Sequence, residues 1–553
     1  MKTPLRRFAP ILLATSISLH AGETPSSVEK PAATEDATLF PIPKLTGSLW
    51  ERERLLGDIG GPRQTLAEHG VQVDFNLLQI YQGVVSGGET DQWAREVGRT
   101  ALSTLLAGVI DRSATLRNQL RSDAQAIAAA RLQALGTQAQ ARFATLPSPV
   151  QDAIRQKIAA VPPARWEQLR GLVRDAINSK VANAKTALAE VIRERIGKLD
   201  FGQFGNTGDD RSAYFGLWTG DLKFDTAKMG LWPGGFLLVR AQGQYGDSVN
   251  SRSAAFMSPN TQSLMPDPGI DDVTLPAVMF TQFLSEKIAI AVGKLDTTQG
   301  DGNEFAQLAG DERFLNMAFA FNPVLALTAP YSPLGAALVI LPTKDLMLNL
   351  TVMDTDGTPT RSGFDTMFNG NTTYSGEAVL KTHFFGLPGG QVLGGTYAHG
   401  HFTELTQNVL AFVPASGVPL NQSGDSWSIY YNFHQYIWAR PEDPTRGWGV
   451  FGRAGFADER TNPIAQFYSI GLGGKGVAAS RPHDRFGVGY YYMKTSGDLP
   501  AFLHLGDEQG VEAFYNFAVT PAFTVTADVQ VIDSARKDVD TAVVVGVRAM
   551  LRF

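Results

Sequence analysis

The sequence predicts an all-β transmembrane barrel of 16 antiparallel strands, with an α-helical hairpin inserted between strands 1 and 2. Three observations predict it. The chain ends on Thr541–Phe553, where Val543, Val545, Val547, Ala549, Leu551 and Phe553 share one parity while Arg548 and Arg552 share the other. A strand turns successive side chains to opposite faces, so one face here is wholly apolar and the other carries cations. Similar alternating segments recur from about residue 212 onward, joined by short turns on one side and longer loops on the other. Finally, no stretch of about 18 uncharged apolar residues exists, while charged residues fall to 18%, below the ~25% of soluble domains. A barrel reconciles membrane residence with that composition, because only every second residue meets lipid.

The ends and termini come first. Met1–Ala21 reads as a secretory signal: Lys2, Arg6 and Arg7 are its basic end, Phe8–Ile17 its apolar stretch, and cleavage follows Leu19-His20-Ala21. Residues 22–47 are rich in Pro, Thr and Glu and read as a disordered leader. The chain has no Cys, so an exported product is held by something other than disulfides; a closed hydrogen-bonded barrel suffices.

Residues 48–92 carry the first strand, Val71–Gln82. After the insert come Ser212–Phe224 and Phe236–Tyr245, then Thr274–Leu284 with Lys287–Leu295, and Ala326–Leu341 with Leu346–Met353. Thr372–Phe385 pairs with Gln391–Leu405, and Ser426–Trp438 with Gly447–Ala457. Gln466–Val477, Arg485–Lys494, Gly510–Val519, Phe523–Ile532 and Thr541–Phe553 complete the count within residues 201–553. An even number puts both chain ends on the periplasmic side. Trp218, Trp232, Trp427, Tyr436, Trp438, Trp448, Tyr490 and Tyr491, near segment ends, are candidates for interfacial girdles.

Residues 93–200 break the pattern. Leu102, Leu106, Val109, Leu116, Leu120 and Ile127 recur at helical spacing, as do Trp166, Leu169, Val173, Ile177, Val181, Leu188 and Ile192, with Pro147, Pro149, Pro162 and Pro163 between. The reading is an antiparallel helical pair, and the near-seven spacing also allows a coiled coil. Its place between strands 1 and 2 puts it at the extracellular end. It holds 17 Lys and Arg against 9 Asp and Glu, a net +8 in a chain of net −6. The overall acidity argues against a nucleic-acid partner. The basic helices read as a solvated pair, as a lid over acidic mouth loops, or as a contact for anionic lipopolysaccharide.

The flanks of the insert carry a resemblance. Leu56-Gly57-Asp58-Ile59-Gly60-Gly61-Pro62-Arg63, with Leu66, Gly70 and Val71, resembles the opening motif of the carbohydrate-selective (OprB-type) porins, whose usual form has Trp in place of Ile59. Val84–Gly88, Gly230-Leu231-Trp232-Pro233-Gly234-Gly235 and Gly293-Lys294-Leu295-Asp296 are similar to that family too. So are Asp301-x-Asn303-x-Phe305-Ala306, Gly449–Arg453, Asn462-Pro463, Phe467–Gly473, Glu512-x-Phe514-Tyr515-Asn516 and Thr520-Pro521, in order. The resemblance covers about residues 50–88 and 212–553. It implies a 16-stranded outer-membrane barrel, often a homotrimer, that passes small carbohydrates. The insert departs from the usual plan.

A porin performs no covalent chemistry, and no cofactor is expected. Selectivity comes from pore width and lining groups. Strand parity nominates Arg240, Gln242 and Gln244 on one face, Asn432 with His434, then Arg453, Lys475, Asp528 with Gln530, and Arg548 with Arg552. Placing such cations in lipid costs ~2–4 kcal/mol each near the midplane, so they face the lumen. Lys294–Asn316 is too long for a turn. It carries Asp296, Asp301, Asn303, Glu304, Asp311, Glu312 and Arg313, and by resemblance it is the inward loop that narrows the pore, its acids setting a field against basic wall residues.

Other signals weigh less. His399-x-His401 lacks a third metal ligand and reads as a lumen or loop face. Asp354–Gly357 reads as a turn rather than a calcium loop. Gly471–Gly476 lies in a strand pattern, where a phosphate cradle has no helix to open. Rival readings are a general-diffusion pore without sugar preference, and a barrel-anchored surface module that binds through its helices.

Overall fold

The computed structural model describes residues 39–553 except 113, 166, 169–170, 173, 177, 180–209, 265–272, 300, 309–311, 368, 408–410 and 412–417. The expected signal segment lies outside these residues. The chain forms two compact units. One, Met1–Trp93, Gly202–Gln407 and Leu420–Phe553, contains the barrel; the other, Ala94–Phe201 and Asn408–Pro419, contains most of the insert.

Sixteen antiparallel strands close on themselves. They are β1 (Val71–Ser86), β2 (Ser212–Asp225), β3 (Gly235–Gly246), β4 (Thr274–Ser285), β5 (Ile288–Lys294), β6 (Leu334–Ile340), β7 (Leu346–Asp354) and β8 (Thr372–Thr382), followed by β9 (Gly389–Thr403), β10 (Gln422–Arg440), β11 (Asp443–Ala457), β12 (Ile464–Lys475), β13 (Arg485–Thr495), β14 (Glu508–Thr520), β15 (Phe523–Asp533) and β16 (Ala542–Arg552). Closure is made by β1 on β16, running from Asn76 opposite Arg552 to Ser86 opposite Val543.

Parity behaves as the alternation predicts. On β16, Val545 and Val547 are exposed on the outer face while Val544, Arg548 and Met550 are buried. The same outer face carries Leu350, Val352, Leu393, Ile470, Val488, Val511, Val529 and Val531, all exposed. Such a continuous apolar surface is incompatible with water and defines a lipid-facing wall. Among the described residues no helix is long and apolar enough to cross a membrane. Trp232, Trp427, Trp438 and Tyr490 are exposed as girdle residues should be. Tyr436 and Tyr491 are not: both take the inner parity of their strands and are buried against the inner loop, Tyr491 edge-on to Phe319 and Tyr436 tilted against Phe305.

A second difference concerns the segment before β6. The expected strand Ala326–Leu341 forms a ladder only from Leu334. Pro323, Pro330 and Pro333 lack the N–H a ladder needs, and Ala326 and Ala329 are buried with the loop instead. The β5–β6 connection therefore runs from Leu295 to Pro333, longer than the Lys294–Asn316 stretch the spacing suggested.

This loop lies inside the barrel. Its residues bond to strands around most of the ring: Asp296 to β3, Ser332 to β4, Thr328 to β8, β9 and β10, Asp301 to β11, and Leu315 and Asn316 to β14 and β15. A segment can reach so many strands of a closed ring only from within. Phe314, Phe319, Phe321, Val324 and Leu325 pack with wall residues Phe451, Phe467, Tyr491, Met493 and Phe514 into the largest core cluster. Glycines on β12 and β13 make the contact possible. A Cβ at Gly473, Gly487 or Gly489 would stand 2.5, 2.7 and 2.5 Å from the loop residues Phe305, Phe314 and Phe319 respectively, so these side chains rest on bare backbone. That accounts for the glycine-rich run Gly471–Gly476, which lies at the end of β12 and in the turn after it.

The insert is helical as expected between β1 and β2, with α2 (Asp91–Arg112), α3 (Ala114–Ala144) and α4 (Ser148–Ala159), after a short α1 (Pro62–Glu68) ahead of β1. Pro147 stands at the start of α4 and Pro149 in its first turn, where a missing N–H costs nothing. Every residue of the second apolar series, Trp166 to Ile192, falls outside the described residues.

The outer wall gives a direct prediction. Val547→Arg, mid-strand on the lipid face, should lower stability in lipid vesicles by ~2–4 kcal/mol, read as an earlier urea midpoint. An unchanged midpoint would place this face elsewhere than in lipid.

Candidate functional site

The site is the interior face of the wall together with the loop tied across it. Two buried clamps hold the loop. At the first, Arg453 on β11 grips Asp301 with two bonds, Nε to Oδ2 at 2.6 Å and Nη2 to Oδ1 at 2.9 Å, and also donates to the Ala306 carbonyl. Both side chains are wholly removed from solvent. Asn432 on β10 donates to the Asp301 carbonyl at 2.9 Å, and Asn303 donates to Asn432 at 2.6 Å and to the Phe433 carbonyl at 3.0 Å. The Asn303 side-chain oxygen Oδ1 in turn accepts from the amides of Phe305 and Ala306. A buried charge is tolerable only when an opposite charge meets it in this way.

The second clamp is on β14 to β16. Glu512 accepts the amides of Leu315 and Asn316 at 2.6 and 2.9 Å. Asn316 donates to Gln530 at 3.0 Å, and Gln530 donates to Asp528 at 2.9 Å and to the Pro259 carbonyl at 2.9 Å. Arg548 donates to the Arg313 carbonyl. The β3–β4 loop is fastened similarly: Glu508 accepts the amides of Phe256 and Met257 at 2.6 and 2.7 Å.

A chain of ion pairs crosses β1 to β3 toward the loop. Arg54 meets Asp74 at 2.8 Å, Asp74 meets Lys223 at 2.8 Å, and Lys223 lies 3.9 Å from Asp221. Arg240 grips Asp221 at 2.7 and 2.8 Å and reaches Asp296 at 2.8 Å. Gln242 accepts from the Tyr331 hydroxyl at 2.7 Å, and Lys294 donates to the carbonyls of Pro359 and Arg361. The stretch before β1 takes part in this packing. Phe40 lies edge-on to Phe236 at 5.6 Å and its carbonyl accepts from Gln72, so residues 39–47 sit against the barrel although their composition reads as disordered leader.

Where the interior stays partly open, acids and bases alternate at close range. Arg485 lies 3.6 Å from Glu304 and 3.4 Å from Glu312, and Arg552 pairs with Glu312. Arg313 donates to the Glu304 carbonyl at 2.9 Å, and Lys475 stands opposite Arg485 across β12 and β13. Burial alone would raise the two loop carboxyls. For Glu304, Arg485 and Arg313 outweigh it; for Glu312, Arg552 and Arg485 do, and both are held below the usual glutamate range.

The nominated residues thus separate by burial. Gln244, Lys294, Asp296, Asp301, Asn303, Asn432, Arg453, Asp528, Gln530 and Arg548 are buried, as is Arg313, while Arg240, Gln242, Glu304, His434 and Lys475 keep some exposure. Asp311 lies outside the described residues. Lys223, Arg485, Asp74, Asp221, Glu508 and Glu512 are not among the nominated site residues, although parity held a signal for them: Asp221 with Lys223 on β2, and Glu508 with Glu512 on β14, share the inner face as Arg240 does with Gln242 on β3. His399 and His401 are exposed on the outer face, not toward the lumen, since Ala398 and Phe402 take the inner parity. Asp354 caps its own turn by accepting the Asp356 amide at 3.0 Å, and the described residues hold no three-ligand metal cluster.

A closed lipid-faced barrel narrowed by an internal loop defines a bacterial outer-membrane porin. Residues 210–553 match the family "Carbohydrate-selective porin, OprB family", and the chain belongs to that family. It is accordingly a sugar-selective porin of the outer membrane. The fold is similar to the high-pH structure of Pseudomonas putida OprB, with 16% identity, 92% of this chain and 99% of that chain covered, and a TM-score of 0.61. The low-pH structure of the same protein matches at 12% identity over 91% of this chain and 98% of that one, with a TM-score of 0.43. An engineered Rh. blastica porin matches at 11% identity over 63% and 93%, with a TM-score of 0.33. No curated protein matches the chain significantly.

The depressed loop carboxyls carry a sign. Glu304 and Glu312 therefore keep their charge to lower pH than an unperturbed glutamate, and lose it only on acidification. Acidification should therefore leave Arg485, Arg552 and Lys475 unopposed and shift the reversal potential in a KCl gradient toward anions. A reversal potential that acidification of the folded channel leaves constant would remove these carboxylates from the ion path.

Proposed function

We propose that mono- and small oligosaccharides diffuse passively through the gap between the Leu295–Pro333 loop and the wall, and that the half-exposed groups line its narrowest part. On this reading Arg240, Gln242, His434, Lys475 and Glu304 meet the solute, joined by Arg485, Glu312 and Arg552. Asp296, Asp301, Asn303, Arg313, Asn432, Arg453, Asp528, Gln530, Arg548, Gln244 and Lys294 set the width by holding loop and wall together. The observation that carries it is the close alternation of donors and acceptors around Glu304, Glu312 and Arg485. A sugar hydroxyl both donates and accepts, so such a lining can exchange for its water shell without favouring one sign of charge.

The reading extends to the partners. The +8 of the helical insert suits anionic lipopolysaccharide, and a homotrimer is the assembly that the family resemblance implies.

Swelling of liposomes with sugars of graded size should be rapid for glucose and fall off steeply beyond small oligosaccharides. Glucose should also block ion current in a saturable way, which a general-diffusion pore would not show. Absence of swelling with every sugar tested would reject the proposal.

A further inference from the structure

The stretch ahead of α1 is tied to the inner side of the wall at two places. At the first, Phe40 meets β1, β2 and β3. Its carbonyl accepts from Gln72 at 2.7 Å, its ring lies edge-on to Phe236 at 5.6 Å, and the Lys223 ammonium stands 6.0 Å over that ring. Gln72 and Phe236 are buried, while Val73 and Leu222, of the opposite parity, are exposed on the outer wall. At the second place, Arg54 meets inner-face Asp74 at 2.8 Å, and the Leu55 amide donates to the Arg552 carbonyl at 2.7 Å. The start of β1, the end of β2, the start of β3 and the end of β16 share one rim. An even strand number makes that rim periplasmic.

Between these anchors the chain closes a small loop on itself. The Glu53 amide donates to the Lys44 carbonyl at 2.8 Å, and the Lys44 amide donates to the Glu53 carboxylate at 3.1 Å. At its tip the Glu51 and Arg52 amides both donate to the Ser48 carbonyl at 3.0 Å. Leu45 is buried at its base, and Glu53 is exposed. The loop cannot swing away without breaking Arg54 from Asp74, whose side chain is only 4% exposed. Glu53 also reaches the field of His483, in the turn between β12 and β13. Around the ring, β13 stands four places from β1. Burial lowers the His483 imidazole below the usual histidine range and Lys475 adds to this, while Glu312 and Glu53 act in the opposite sense. Glu53 thus shares a neighbourhood with Glu312 and Lys475, two groups of the pore lining.

We infer that Lys44–Glu53 is a second selectivity element: a strap held in the periplasmic mouth, with Glu53 setting a negative charge beside the path by which solutes leave. A loop fastened to the inner wall at both ends takes up cross-section, and an exposed carboxylate on it favours cations over anions. The inference rests on the reading that solutes pass between the inner loop and the wall, and adds a filter in series with that gap.

The full-length chain has no cysteine, so Glu53→Cys carries a single thiol. Glu286→Cys, an exposed acid in the β4–β5 turn, is the control on the same rim. Currents are recorded in planar bilayers in about 1 M KCl, where charge is screened within ~3 Å, before and after a cationic or an anionic methanethiosulfonate. Both reagents should lower the unitary current in steps at position 53 and leave it unchanged at position 286. In a KCl gradient the two should also move the reversal potential of the position 53 variant in opposite directions. An unaltered current at 53 with modification confirmed by mass, equal steps at 53 and 286, or reversal potentials that do not separate would each overturn the inference. Heat-modifiable mobility on gels establishes that each variant is folded. Glucose swelling of liposomes holding the unaltered chain reports on the sugar path separately, so failure of that reading is told apart from failure of this one.

Discussion

In hydrocarbon no water satisfies a backbone N–H or C=O, so every strand must have two neighbours. The pairing of β1 with β16 is what meets that demand, and the rest of the molecule follows from it. Once the ring is closed, parity assigns each side chain to lipid or lumen with no third choice. Val545 and Val547 take one side and Arg548 the other. A cation needs no special pleading on the inner face, where partners can be brought to it.

Those partners are brought by the loop. A ring of 16 strands encloses more space than its own side chains fill. The chain fills it by folding Leu295–Pro333 inward and fastening it with buried charges. Breaking a buried pair such as Arg453 with Asp301 strands a charge in low dielectric, a cost on the order of 3–5 kcal/mol. The same pair in place adds direction rather than much net stability, because desolvation offsets the Coulomb gain. Hydrophobic burial supplies the rest, through Phe314, Phe319 and Phe321 on a wall thinned by glycine. The loop is thus held by chemistry of two kinds. Charges fix its register against the wall, and phenyl rings fix its depth.

The strands were legible because their rule is local. Period-two alternation needs no knowledge of distant residues, and it placed all the strands, the closing pair included, and the face of Arg240, Asn432 and Arg453. What the rule cannot hold is what lies against a given inner face. Tyr436 and Tyr491 look like girdle tyrosines until the loop is seen to cover them, and Ala326–Pro333 looks like strand until its prolines are set against a ladder. Arg548 and Gln530 were recognised as inward-facing, but their burial depends on Arg313 and Asn316, more than two hundred residues away in sequence. Glu512, which the sequence shows only as part of a family motif, has no legible role for the complementary reason: it accepts two amides of a loop that sequence spacing alone does not dock. The sequence therefore reveals the wall, and tertiary contact decides which wall residues remain wet.

The central claim is that this tied loop sets the width of the pore. The most direct measurement is the single-channel conductance of Asp301→Ala beside that of the unaltered chain in planar bilayers. Loss of the carboxylate frees Arg453 and the first clamp, so the account predicts a larger and noisier unitary current from a barrel that still resists detergent. An unchanged, quiet conductance in a folded Asp301→Ala barrel would contradict it.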